Sequence, residues 1–136
     1  MKVVDVMTSD PVTVTPSETI GQADGLMDEN NIRQLPVVSG RELVGIITDR
    51  DIRSFLSGSL HSSPEDWDKA TRTRISTVMT SQPMTVTPDD DLSDAIEILL
   101  TEKVGAIPVV DNTEGLVGIL SHADVLRCFL GRLRED

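Results

Sequence analysis

Aromatic and cationic residues are both scarce in this sequence of 136 residues. It contains one Trp, two Phe and no Tyr, and its 12 Lys and Arg residues face 23 Asp and Glu residues, for a net charge of −11. Single-stranded nucleic acid binds on aromatic platforms, and nucleic acids and anionic membranes attract positively charged proteins. The composition therefore argues against a nucleic-acid or membrane partner, and any anionic ligand must be held by a local cationic cluster.

Cysteine and histidine are nearly absent as well. Cys128 is the single cysteine, so no intramolecular disulfide is expected, and His61 and His122 are too few for a dedicated zinc site. No apolar run approaches the roughly 18 residues of a membrane span, and the first residues do not resemble a signal peptide. We find no nucleophile–base pair and no glycine-rich phosphate loop. The sequence predicts a cytoplasmic protein with no catalytic residue, no metal site and no obligatory cofactor.

The second half of the sequence repeats the first at an offset of 72 residues, which becomes 73 near the end of each copy. The matching blocks are 6–9 with 78–81 (VMTS), 13–16 with 85–88 (TVTP), 36–38 with 108–110 (PVV) and 43–46 with 116–119 (LVGI). So many short blocks in one order indicate a tandem duplication. We predict a first repeat at 1–57, a linker at 58–77 and a second repeat at 78–136.

Each repeat is predicted to fold as β-α-β-β-α, which is an α/β unit. The β-branched residues 12–14 suggest a short strand, and Thr15 with Glu18 forms a capping box that would begin the first helix there. The remaining elements are strands at 35–39 and 43–47 with a helix from Thr48, and in the second repeat a helix start at Thr87 and Asp90, strands at 107–111 and 116–120, and a helix from Ser121.

The small size of each repeat predicts how the two are arranged. A unit of about 55 residues has a marginal core by itself, so we expect the repeats to pack sheet to sheet about a pseudo-twofold axis, which leaves two related clefts. In the linker, Ser63 and Pro64 are typical of a helix start. Trp67 follows in that short helix, and we expect it to anchor packing.

Two equivalent segments carry the strongest functional signal. They read GIITDRD at 45–51 and GILSHAD at 118–124, each of the form Gly-h-h-[Ser/Thr]-x-x-Asp at a predicted strand-to-helix junction. Together with the two VMT-x-x-P and two PVV blocks, they resemble the CBS domain. Two copies in tandem resemble a CBS pair, or Bateman module, over about residues 3–57 and 75–130.

The resemblance implies a stand-alone regulatory module of the energy-sensing kind. Its ligand would contain adenosine, with AMP, ADP or ATP first and S-adenosylmethionine or NAD as further candidates, and would lie in the cleft between the repeats. Occupancy would be transmitted by a conformational change to a regulated protein that the sequence does not identify. The resemblance also implies a homodimer.

Thr48 and Asp51 are open to two interpretations, and so are Ser121 and Asp124 in the second repeat. A Thr-x-x-Asp segment at a helix start is a capping box and needs no ligand. A helix N-terminus also attracts phosphate, to which the hydroxyl group can donate. The resemblance assigns the hydroxyls of Thr48 and Ser121 to phosphate and the carboxylates of Asp51 and Asp124 to ribose.

The two repeats differ in charge near these segments. Arg50 lies within the first segment and is either a solvated cation that pairs with Asp49 or Asp51 or a guanidinium that neutralises a phosphate. The resemblance implies that Arg33, further upstream, can also reach a phosphate, whereas the second repeat has Ala123 and Gly105 at these places. Residues 1–57 carry five basic and nine acidic side chains, and residues 78–136 carry four and eleven. We therefore predict one stronger phosphate site, or one site built from both repeats.

Apolar residues near the equivalent segments are candidates for an adenine slot, although each could equally belong to the core. They are Val12, Pro36 and Val37 in the first repeat and Met84, Pro108 and Val109 in the second. The missing cations of the second repeat also favour an alternative function, a protein-interaction or scaffold module whose nucleotide site is degenerate.

Overall fold

The computed structural model describes residues 1–57 and 63–135, so His61 and part of the predicted linker lie outside the described residues. After a short 3₁₀ helix at Val3–Asp5, the helices are α1 (Ile20–Asn30), α2 (Asp49–Ser57), α3 (Pro64–Thr71), α4 (Ile75–Val78), α5 (Leu92–Glu102) and α6 (His122–Glu135). The strands are β1 (Thr8–Ser9), β2 (Gln34–Ser39), β3 (Glu42–Thr48), β4 (Thr80–Ser81), β5 (Ala106–Asp111) and β6 (Gly115–Ser121).

These elements form two compact units. The central unit is Val12–Gln82, and the terminal unit combines Met1–Pro11 with Pro83–Asp136. Each contains a three-stranded antiparallel sheet, ordered β2-β3-β4 in the central unit and β1-β6-β5 in the terminal unit. The predicted boundaries follow chain order and so differ from these units: β1 of the first repeat pairs with β6 of the second, and β4 pairs with β3.

The two hairpins confirm the strands predicted at 35–39, 43–47, 107–111 and 116–120. Leu35 pairs with Ile47 in the central unit, and Ile107 pairs with Leu120 in the terminal unit. All four side chains are buried. In the first turn, Gly40 has a φ of 63°, which a glycine adopts without strain. In the second turn, hydrogen bonds from the Thr113 hydroxyl and backbone lower the pKa of Asp111 from its ordinary value.

The predicted strand at 12–14 and the predicted start of the first helix were wrong. Val14 makes only an isolated bridge to Val37, and α1 begins at Ile20 with Thr19 as its N-cap. Thr15 and Glu18 instead close a turn, in which the Glu18 Oε1 accepts from the Thr15 N–H at 2.9 Å. The hydrogen bond expected between Thr15 and Glu18 therefore forms, but no helix begins there.

A distant segment explains why the helix begins late. The Ile20 N–H donates to the Thr73 carbonyl at 2.9 Å, and the Ile75 N–H donates to the Glu18 carbonyl at 2.8 Å. These bonds hold the backbone before Ile20 in an extended pairing, which a helix from Pro16 would break.

In the terminal unit, the N-terminal segment pairs in the same way with the residues before α5. There the Val3 N–H donates to the Asp90 carbonyl at 2.9 Å, and the Leu92 N–H donates to the Met1 carbonyl at 3.0 Å. The second predicted start, at Thr87 and Asp90, was therefore wrong for the same reason, and α5 begins at Leu92.

Aliphatic side chains form the core of each unit, as the scarcity of aromatic residues requires. The buried members in the central unit are Val14, Ile20, Ala23, Met27, Leu35, Val37, Ile47, Ile52, Leu56 and Ile75. In the terminal unit they are Val3, Val86, Leu92, Ala95, Leu99, Ile107, Val109 and Leu120. Val3 and Ile75 come from the segments that pair with the starts of α5 and α1, so these segments complete the cores as well as the backbone hydrogen bonding.

The predicted linker helix is present as α3. The Ser63 Oγ accepts from the Asp66 N–H at 3.2 Å, which confirms Ser63 as the N-cap, and Pro64 begins the helix. Trp67 lies on this helix and keeps 41% of its surface exposed. Its indole is therefore only partly packed within the described residues.

Candidate functional site

The start of α2 holds Thr48 and Asp51 in a reciprocal capping box. The Thr48 Oγ1 accepts from the Asp51 N–H at 3.0 Å, and the Asp51 Oδ2 accepts from the Thr48 N–H at 3.0 Å. No donor among the described residues reaches the second carboxylate oxygen, Oδ1, and the residue is half-buried. The Thr48 hydroxyl proton and the Asp51 Oδ1 thus remain available for hydrogen bonds to a ligand beside the first turn of α2.

The start of α6 holds Ser121 and Asp124 in an equivalent box. The Ser121 Oγ accepts from the Asp124 N–H at 3.2 Å, and the Asp124 Oδ2 accepts from the Ser121 N–H at 2.9 Å. Here Oδ1 is also engaged, because the Thr8 hydroxyl donates to it at 2.9 Å and an Arg127 Nη1 lies at 3.4 Å. Asp124 is only 8% exposed. The two carboxylates that the repeat makes equivalent in sequence are therefore unequal in their hydrogen bonding.

Sequence reasoning placed the segment from Thr8 to Pro11 at the edge of the pocket but gave Thr8 no role, and it missed Arg127. Thr8 belongs to the first repeat by its sequence, and only the pairing of β1 with β6 brings it to α6. Arg127 lies three residues after Asp124, a helical spacing that could have indicated the ion pair in advance. Arg127 therefore places a cation near this box, although Gly105 and Ala123 stand at the positions that Arg33 and Arg50 occupy in the first repeat.

The two predicted cations lie near the start of α2. The Arg33 Nη1 pairs with the Asp49 Oδ2 at 3.2 Å, and the Arg33 carbonyl accepts from the Asp49 N–H at 2.9 Å. Arg53 reaches the same carboxylate oxygen at 3.1 Å. Arg50 is exposed, and in the described ranges no carboxylate lies within 4.0 Å of its guanidinium. The structure thus brings Thr48, Asp51, Arg33 and Arg50 to one helix end, with Arg33 tied to Asp49.

The predicted adenine-slot residues fall into two groups. Pro36, Val37, Pro108 and Val109 are buried, and the Val37 and Val109 side chains are 0% exposed within the cores. Val12 packs against the edge of the central core, and Met84 is 51% exposed. Contact with a ligand is therefore open to Val12 and Met84, whereas Val37 and Val109 are fully buried in the cores.

Other kinds of site find no support in the part of the chain that the structure describes. There, no three His, Cys, Asp or Glu side chains come close enough to hold a metal ion. Over the same residues, no helix has the length and apolar character needed to cross a bilayer.

Two solved structures resemble the chain over nearly all of its length. The crystal structure of CBSX2 from Arabidopsis thaliana in complex with AMP is 31% identical, with a TM-score of 0.81 and 96% of each chain covered. The CBS domain pair of protein MJ0100, in complex with 5′-methylthioadenosine and S-adenosyl-L-methionine, is 27% identical, with a TM-score of 0.82 and 97% of this chain and 98% of that chain covered.

Sequence comparison gives the same family. A family model described as CBS domain matches residues 3–58 and 75–131. Protein MJ1225 of Methanocaldococcus jannaschii is 34% identical over 92% of this chain and 46% of its own length. An inosine-5′-monophosphate dehydrogenase of Korarchaeum cryptofilum is 34% identical over 85% of this chain but 22% of its own length. The chain thus spans less than half the length of these two relatives.

Proposed function

The chain belongs to the CBS domain family, and from this premise we propose that it is a regulatory module that binds an adenosine-containing ligand at the start of α2. AMP, ADP and ATP are the first candidates. The observation that carries the proposal is the available Oδ1 of Asp51 beside the Thr48 hydroxyl, with two arginines at the same helix end. Binding would act by favouring one conformation of the module, which requires a difference in affinity between conformations.

Each group at this helix end has a chemical role toward such a ligand. The Asp51 carboxylate accepts from the ribose hydroxyls, and a hydrogen bond to an ionised acceptor is stronger than a neutral one. The Thr48 oxygen already accepts from the Asp51 N–H, so its own proton is left for a phosphate oxygen. The helix N-terminus and Arg50 supply the local positive potential that an anionic ligand requires in a protein of net charge −11.

The relatives support an adenosine ligand without naming which one. CBSX2 was crystallised with AMP, and the MJ0100 pair with 5′-methylthioadenosine and S-adenosyl-L-methionine. All three compounds share the adenosine group, which is the part that Asp51 would recognise. Arg33 and Arg50 favour a phosphorylated ligand, because a guanidinium group repels the sulfonium charge of S-adenosylmethionine.

Thermal unfolding with candidate ligands tests this function. AMP, ADP, ATP, NAD and S-adenosylmethionine are added in turn, with inorganic phosphate as the control for non-specific occupation of the helix end. A ligand present at 100 times its Kd adds about 2.7 kcal/mol to the free energy of unfolding. We expect an adenine nucleotide to raise the Tm by several degrees and phosphate to leave it unchanged. Trp67 fluorescence is a second readout.

The same experiment separates this function from the alternative. A chain that none of the five compounds stabilises would be a protein-interaction module with a degenerate nucleotide site. The closed carboxylate of Asp124 is the observation that favours this alternative. A search for the bound protein would then replace the search for a ligand.

We also propose that the chain forms a homodimer through α6. Leu126, Phe129, Leu130 and Leu133 lie on one helical stripe and are 68%, 44%, 47% and 71% exposed. The same helix carries Arg127, Arg132 and Arg134, although the whole chain has a net charge of −11. A second copy of so acidic a chain therefore complements the apolar and basic character of α6.

Sedimentation equilibrium checks the dimer. We expect the wild-type chain to sediment as a dimer and Leu133→Glu to sediment as a monomer, because a buried, unpaired carboxylate is costly at an interface. Leu100→Glu is the matched control, since Leu100 is 70% exposed but lies on α5. A monomeric wild type, or a Leu100→Glu variant that dissociates equally, would contradict the assignment of α6.

A further inference from the structure

We propose that the Thr8 hydroxyl occupies the position of a ligand hydroxyl on Asp124 and keeps the terminal unit closed to ligand. Each chain would then bind one adenosine-containing molecule, at Asp51. This inference rests on the proposed function, because it takes the Asp carboxylate of each box to be the group that recognises ribose. It adds that Thr8 determines how many of the two capping boxes bind a ligand.

The hydrogen bonds on Asp124 use both carboxylate oxygens. Oδ2 accepts from the Ser121 N–H at 2.9 Å, and Oδ1 accepts from the Thr8 hydroxyl at 2.9 Å. Arg127 adds a longer contact to Oδ1 at 3.4 Å. With 8% of the residue exposed, a ribose hydroxyl would have to displace Thr8 before it could bond to Oδ1.

The duplication provides an internal comparison at Thr80. Thr80 pairs with Ile46 in the central sheet, just as Thr8 pairs with Ile119 in the terminal sheet. Within residues 1–57 and 63–135, however, no hydrogen bond joins Thr80 to Asp51. The residue types and the strand register agree, so the hydroxyl contact itself is what distinguishes the two boxes.

Arg127 accounts for part of this difference. Its guanidinium pairs with the Asp124 carboxylate from the next turn of α6, where α2 has the uncharged Ser54. The Arg127 side chain is 75% exposed and the Asp124 side chain 7%, so the arginine covers a carboxylate that is already enclosed. Thr8 and Arg127 together satisfy the Oδ1 of Asp124, whereas the Oδ1 of Asp51 remains open.

The hydrogen bonding of the two carboxylates determines whether a ligand forms a new hydrogen bond in each unit or only replaces an existing one. At Asp51 a ribose hydroxyl makes a new bond to an oxygen that had no protein donor. At Asp124 it would replace one hydroxyl donor by another, so the exchange brings little net gain. Gly105 and Ala123 stand where Arg33 and Arg50 would contact the phosphate, and Arg127 is already paired with Asp124.

Isothermal titration with AMP tests the inference through its stoichiometry. We expect one AMP per chain for the wild type and AMP binding weakened about 100-fold for Asp51→Ala. Thr8→Ala removes the hydroxyl together with its methyl group, so we expect two AMP per chain. Thr8→Ser restores the hydroxyl and should return the value to one. Thr80→Ala is the matched control in the other sheet and should stay at one.

Each outcome bears on one of the two proposals. Two AMP per wild-type chain, an unchanged AMP affinity in Asp51→Ala, or a Thr8→Ala variant that gains no site would overturn the role of Thr8. A wild type that binds no AMP contradicts the function proposed for Asp51. If Thr8→Ala then gains one site that Asp124→Asn removes, the role of Thr8 stands alone. Far-UV circular dichroism verifies that each variant is folded.

Discussion

Replacing Asp51 by alanine is expected to weaken AMP binding about 100-fold. The substitution removes the hydrogen bond from a ribose hydroxyl to the open carboxylate oxygen, and a bond to a charged group is worth up to about 3 kcal/mol, which corresponds to two orders of magnitude in Kd. The loss of the capping box with Thr48 costs about 1 kcal/mol of stability, which leaves the chain folded. Titration calorimetry measures the Kd.

Asp124→Ala gives the contrasting result in the other unit. Because Thr8 and Arg127 occupy its carboxylate, we expect AMP affinity to change by less than about threefold. The loss of stability should exceed that of Asp51→Ala, since more protein hydrogen bonds are broken and the residue is more deeply buried. Equal losses of AMP affinity in the two variants would contradict the assignment of the ligand to the central unit.

Gly45→Ala and Gly118→Ala are each expected to destabilise the protein by about 1–3 kcal/mol through overpacking. A Cβ added at Gly45 would lie 2.9 Å from the Thr80 carbonyl oxygen and 2.6 Å from the Met79 Sδ. At Gly118 the same distances occur to Thr8 and Met7. The flexible methionine can move, but the carbonyl belongs to the paired strand, so the sheet must shift. Urea denaturation measures the effect.

Gly25→Ala is the matched control for both glycine variants. Gly25 lies in α1, and nothing lies within 4 Å of the Cβ that would be added there. Alanine is a better helix former than glycine, so this variant should gain roughly 0.5–1 kcal/mol. If Gly45→Ala behaves like Gly25→Ala, the close approach of β4 to β3 is not what requires glycine.

The Gly118→Ala variant also bears on the site. It would push β1 away from β6, and β1 carries Thr8, whose hydroxyl bonds to Asp124. We therefore expect the second AMP site of Thr8→Ala to appear in part in Gly118→Ala. Gly45→Ala has no such consequence, because β4 makes no hydrogen bond to Asp51 in the described residues.

Local sequence was sufficient for the hairpins and for the helices that follow them. The sequence at 35–47 and 107–120 predicted the strands of both hairpins, and the boxes at Thr48 and Ser121 predicted the starts of α2 and α6. The residues paired in the two hairpins lie at most 15 positions apart, so the information is present in a short window. The same boxes placed Thr48 and Asp51 side by side at one helix end.

Contacts between distant segments decided what local sequence could not. The segments 73–76 and 1–4 form backbone hydrogen bonds with the residues before α1 and α5. Both helices therefore begin later than the capping boxes at Thr15 and Thr87 predicted. The segments at 6–9 and 78–81 are identical, so no sequence pattern states which hairpin each one joins. Their exchange between the repeats brings Thr8 to Asp124. The strand pairing is equivalent in the two sheets, and the contacts of the Thr8 hydroxyl and of Arg127 with Asp124 make the two carboxylates unequal.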